Sequence, residues 1–143
     1  MQNVCPFYSH YKKTLLFLEK KAKKIFTISP LFIGEDISNK WNKKLDQLSK
    51  IIFKISEEFP SVSYIDIREK FYNQLKKNRK ISKFLPKSFL GLVFDGLLNR
   101  NPEKIDQTSD SRGLKFTIDG VHLNTAGAEL CAKIFTEIIE GCS

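Results

Sequence analysis

The sequence predicts an α/β domain built around parallel strands, and three observations lead there. Stretches with helical spacing of apolar residues alternate with short β-branched runs, in the order helix, strand, helix, strand. A long helix separates the two runs, as a parallel pairing requires for its crossover. At 143 residues, with 41% hydrophobic and 28% charged residues, the chain has the length and composition of one soluble domain.

The first helix is expected from about Tyr11 to Lys24. Tyr11, Leu15, Leu18 and Ala22 form its apolar stripe, opposite Lys12, Lys13, Glu19, Lys20 and Lys23. "KIFTISP", closed by Pro30, reads as a buried strand, and "LFIGED" as a loop. A second, core-facing helix follows from the period Trp41, Leu45, Leu48, Ile52, Ile55 and Phe59, with Ser38 as its N-cap and Pro60 just beyond its end. "SVSYIDI" is the second strand.

Between residues 68 and 112 the pattern loosens into a basic helix ("REKFYNQLKKNRK"), an apolar patch ("FLPKSFLGLVFDGLL") and a polar loop ("NRNPEKIDQTSDSRG"). This excursion is expected to form a cap or lid. The apolar patch is expected to fold onto the core, with an acyl-pocket lid or a surface-seeking helix as alternatives. The chain closes with "LKFTIDGVHLN" and a helix from Asn124 or Thr125 to Glu140, with Leu130, Ile134 and Ile138 on one face.

The net charge of +8 is regional: residues 68–87 hold eight Lys/Arg and one acid, whereas residues 114–143 hold two and four. Lys76, Lys77, Arg79, Lys80, Lys83 and Lys87 could meet nucleic acid, an anionic membrane or an acidic partner. No recognition motif accompanies them, so nucleic acid is the less favoured partner. Cys5, Cys131 and Cys142 are widely separated and lack C-x-x-C spacing, which argues against a disulfide framework and a zinc site. No cofactor or metal is expected. With no apolar run long enough to span a bilayer and no signal-peptide pattern in "MQNVCPFYSHYKK", the chain as written is expected in the cytoplasm.

The chemistry-bearing stretch is "TIDGVHLNTAG". A histidine acts as a general base near neutral pH when one ring nitrogen meets the nucleophile and the other is held by an acceptor. Asp119 can supply that acceptor to His122 across a tight turn, Gly120 lets the chain reverse, and Asn124 or Thr125 can cap the helix that follows. By spacing alone such a pair is more often a capping or surface pair than a catalytic one. His10, flanked by lysines, reads as a surface residue.

Taken together, "KIFTISPLFIGED", "SVSYIDIREKF" and "FTIDGVHLNTAGAELCAKIF" resemble the C-terminal part of the SGNH (GDSL-type) hydrolase family, over roughly residues 11–140. "DGVHLNTAG" is the most specific match, being similar to the family's last block. The resemblance implies a flavodoxin-like α/β/α sandwich and a Ser-His-Asp triad that hydrolyses acyl or acetyl esters of lipids or carbohydrates. His122 would be its base and Asp119 the orienting carboxylate.

The chain departs from the family pattern in lacking any Gly-Asp-Ser block and an intact G-x-N-D block. "MQNV" matches the latter only through Asn3, in the place of either its asparagine or its aspartate, so Asn3 is the one candidate for the oxyanion hole. Ser9, Ser29 and Ser38 have no nucleophile context, and none is nominated. The expectation is a single partial domain over residues 1–143, lacking the first strands of its parallel sheet. Such a domain should be inactive alone and inclined to pair with a complementing chain or a second copy. A non-catalytic α/β interaction module is the alternative.

Overall fold

The computed structural model describes residues 4–77, 81–85 and 101–141. Asn3, the apolar patch from residue 86 onward, Arg79, Lys80 and Lys87 lie outside the described residues. Among those described, five helices and two strands follow in the order α1 (Val4–Glu19), β1 (Ile25–Ile28), α2 (Lys40–Ser56), β2 (Val62–Ile65), α3 (Ile67–Leu75), α4 (Pro102–Ser111) and α5 (Thr125–Glu140). The strands pair in parallel, Ile25 opposite Val62 through Ile28 opposite Ile65. The chain is therefore mixed α/β with a parallel pair joined through α2. It divides into two compact units, one formed by Met1–Pro30 with Lys44–Asp66, the other by Leu31–Lys43 with Ile67–Ser143.

In the first unit Leu15 of α1, Ile25 of β1, Ile55 of α2 and Phe59 make the core, with Tyr11, Leu18, Ile51 and Val62 packed against it. Successive strand residues point to opposite faces, so Ile25 and Thr27 are buried while Phe26 and Ile28 remain 36% exposed. β1 is thus half-buried rather than buried. Thr27 hides its hydroxyl by bonding that of Ser56 at 2.7 Å. Helix α1 starts at Val4, ahead of Tyr11, and stops at Glu19 rather than near Lys24. The amides of Lys21 and Ala22 both donate to the Leu18 carbonyl, closing the last turn and leaving Ala22 off the stripe. Tyr8 and Lys12 donate to the Glu58 carboxylate and fasten α1 to the residues after α2.

Helix α2 corrects two expectations. Its N-cap is Asn39, whose Oδ1 accepts from the amides of Trp41 and Asn42 at 2.9 Å each. Ser38 is occupied instead by the Asp36 carboxylate, to which it donates through both amide and hydroxyl. Trp41, expected in the core, is 43% exposed, whereas Ile52, Ile55 and Phe59 are buried as expected, together with Asn42, Ser49 and Ser56. A polar Asn42 is tolerated there because its amide nitrogen reaches the carbonyls of Ile33, Gly34 and Asp36, while its Oδ1 accepts from Ile33.

The core of the second unit consists of Phe32, Ile67, Phe71, Leu75, Phe116 and Ile134. Phe71 meets Phe116 edge to face, with centroids 5.2 Å apart. Arg68, counted in the basic stretch, is buried and donates to the Asn42 carbonyl at 2.7 Å. The stretch expected as a polar loop holds α4. Asn101 caps it by accepting from the Glu103 amide, and Pro102 occupies its first turn, where the missing N–H costs nothing.

Candidate active site: the Asp119–His122 turn

Residues 116–124 form a narrow reversal. The Ile118 amide donates to the His122 carbonyl at 2.9 Å, and the Asn124 amide to the Phe116 carbonyl at 3.0 Å. Gly120 sits at the tip with φ 87°, a left-handed conformation that disfavours a side chain. On the descending arm Asn124 becomes the N-cap of α5. Its Oδ1 accepts from Gly127 at 2.9 Å and its Nδ2 donates to the Lys115 carbonyl at 3.1 Å.

Within this turn Asp119 divides its two oxygens. Oδ1 accepts from the amides of Val121 and His122, both at 2.8 Å, the geometry of an Asx turn. Oδ2 accepts from His122 Nδ1 at 2.7 Å. Asp119 is fully buried, whereas the His122 side chain is 60% exposed. The carboxylate is thus immobilised by the backbone it folds, and it presents one free oxygen to a ring that stands in solvent. With its proton held on Nδ1, the ring offers Nε2 as an acceptor, and among the described residues no hydrogen bond reaches that nitrogen.

Three residues from two neighbouring segments support the turn. Arg112, at the C-terminus of α4, donates to the Ile118 carbonyl at 2.9 Å and lies over the Phe84 ring. Asp106 of α4 accepts from the Thr125 amide at 3.1 Å. The third support is Glu35, in the stretch expected only as a loop. Its Oε2 accepts from the Lys115 amide at 2.7 Å, and its Oε1 from the amides of Phe116 and Thr117 and the Thr117 hydroxyl at 2.7, 3.0 and 3.0 Å. The adjacent Gly34 amide donates to the Gly120 carbonyl at 2.7 Å.

Glu35 escaped the sequence reading because its partners lie 80 to 82 positions away. The one local hint was an acid beside apolar Phe32 and Ile33, since a loop that enters a core must bring hydrogen-bonding groups with it.

Asp119 and His122 are brought together as their spacing suggested. Among the described residues of the second unit, no serine is hydrogen-bonded to either side chain. Ser38 bonds Asp36; in the first unit Ser29 is buried and Ser9 is exposed on α1. His10 donates from Nδ1 to the Pro6 carbonyl on the exposed side of α1. A depression of about 260 Å³ between α3 and α5, lined by Lys70, Gln74, Leu130, Lys133 and Glu137, does not include the turn. Burial raises the Cys131 thiol above its ordinary range, so it is a poor nucleophile at neutral pH. Compared with known proteins, the chain matches no family model, no curated protein and no solved structure.

Proposed function

We propose that this chain supplies the base-bearing part of an SGNH-type ester hydrolase with a flavodoxin-like fold, acting on acyl or acetyl esters. The observation that carries the proposal is the 2.7 Å contact from His122 Nδ1 to a fully buried Asp119, with the ring 60% exposed. Oδ1 of that carboxylate is taken up by the Val121 and His122 amides, and Oδ2 is left to orient the ring. In the proposed reaction Nε2 removes the hydroxyl proton of a serine as its oxygen bonds to the ester carbonyl. Asp119 stabilises the resulting imidazolium, which then returns the proton to the departing alkoxide.

The serine and the oxyanion donors must come from outside the segments that hold this dyad. Without them the terms that dominate acyl transfer are missing, and the chain by itself is expected to have little or no esterase activity.

Hydrolysis of p-nitrophenyl acetate and butyrate by the chain and by its His122→Ala variant tests both parts. The expected result is no saturable turnover, together with a slow, His122-dependent second-order rate on the activated acetate from the exposed imidazole. Saturable turnover blocked by a fluorophosphonate would reveal a serine nucleophile in the chain and overturn the claim of inertness. Identical rates in the two proteins would remove the acid–base role of His122 and favour a non-catalytic interaction module.

A further inference from the structure

The acid–base reading makes no use of Glu35, yet this carboxylate is only 2% exposed and accepts four hydrogen bonds. Three of its donors are the amides of consecutive residues, Lys115, Phe116 and Thr117. In an extended strand successive amides point to opposite sides, so three that converge on one carboxylate require the chain to wrap around it. Glu35 therefore dictates the path of the arm that enters the turn. Its neighbour Gly34 grips the tip through the Gly120 carbonyl. Asp119 lies between these two points of attachment, two residues beyond Thr117 and one before Gly120.

The approach of the loop is also sterically tight. A Cβ on Gly34 would come within 3.2 Å of the Phe84 carbonyl oxygen, at a backbone φ of 68° that a side chain disfavours. That contact hems the loop in on the side of residues 84–85.

We propose that Glu35 is a positioning residue for the dyad. By holding Lys115–Thr117 in its wrapped path it fixes Asp119 Oδ2 in line with His122 Nδ1, so that the ring stays in the Nδ1–H tautomer with Nε2 free to accept a proton. This inference rests on the reading of Asp119 and His122 as the acid–base pair. A merely structural Glu35 would contribute to stability and leave the tautomer of the folded protein untouched.

Long-range ¹H–¹⁵N spectra of the histidine-labelled chain separate these roles. They are recorded where the imidazole is neutral, with His10→Gln used to assign the only other ring. In the unsubstituted chain the Nδ1–H form of His122 should dominate. In Glu35→Gln, whose amide nitrogen must face one of the backbone donors, the ratio should invert toward the Nε2–H form that a free imidazole prefers, with the folded spectrum otherwise retained. Thr117→Val deletes one of the four bonds without burying a new polar group, so the same ratio should shift in the same direction by less.

A folded Glu35→Gln protein with the original tautomer ratio would overturn the positioning role. Should that variant fail to fold, an unchanged ratio in Thr117→Val would overturn it equally. An Nε2–H majority in the unsubstituted chain would instead sink the dyad reading itself.

Discussion

Asp119 performs two tasks with one carboxylate, and an amide cannot do both. In Asp119→Asn the side-chain oxygen can still accept from the Val121 and His122 amides, but the nitrogen then meets Nδ1 as a donor and forces the proton onto Nε2. The His122-dependent rate on p-nitrophenyl acetate should fall to the level of His122→Ala while the protein remains folded. A rate equal to that of the parent would show that the tautomer is not set by Asp119. Glu35 answers to a different magnitude. Glu35→Ala would leave three buried or half-buried amides without an acceptor, at about 1–3 kcal/mol each. Against a total stability of about 5–15 kcal/mol for a small domain, that loss is a large share and should lower the thermal midpoint markedly, as circular dichroism would show. Asp36, in the same loop, is held below the usual carboxylate range by the Ser38 hydroxyl and then by the Ser38 amide. A lowered carboxyl stabilises the fold above its unfolded pKa and loses that contribution as pH falls through its folded pKa. Ser38→Ala should therefore raise the Asp36 titration midpoint, measured by NMR, and weaken the acid sensitivity of stability below pH about 4. An unmoved midpoint would refute that cause.

At the scale of elements, the start of α5 decides how firmly the site is held. Asn124→Ala removes the cap bond to Gly127 and the bond to the Lys115 carbonyl, and should cost about 1–2 kcal/mol in urea unfolding. Gly127→Ala should cost more, because its Cβ would stand 2.1 Å from the Phe116 carbonyl oxygen, a backbone atom that already accepts from Asn124. If alanine at 127 proves the milder of the two, the descending arm is not packed as described. The capping chemistry here was visible in "LNTAG", since Asn before a helical period is a local signal. Helix α4 carried an equally local signal, Asn101-Pro102-Glu103, but its polar composition masked it. Helix α2 shows the opposite case: the apolar period was strong, yet Trp41 points to solvent. Asn42 takes the buried position because loop carbonyls far from any sequence pattern are there to receive its amide.

For the molecule as a whole, the charge of +8 invites the idea of a polyanionic partner, and the second unit supplies reasons for restraint. Arg68 is buried, and Lys70 pairs with Glu137 at 3.2 Å, so two cations of the basic stretch are spoken for, while Lys76 and Lys77 are exposed. Binding to labelled single- or double-stranded DNA should be no tighter than about 10⁻⁴–10⁻⁶ M at physiological salt and should weaken steeply as salt rises. Sequence-dependent binding well below that range, measured by anisotropy, would make nucleic acid a specific partner. Among the described residues no helix is long and apolar enough to cross a membrane.

Local sequence carried the α/β alternation, the parallel rhythm of the two strands, a helix cap at Asn124 or Thr125 and the contact that Asp119 can make with His122. All of these depend on residues within a few positions of one another, or on periods that one helix or strand imposes. Packing settled that β1 buries one face alone, that α2 turns Asn42 rather than Trp41 inward, and that Arg68 lies in the interior. It alone decided that Glu35 grips the turn from 80 residues away. Those outcomes depend on which distant backbone groups need partners once the chain is packed, and no local pattern of side chains encodes where such groups will come to lie.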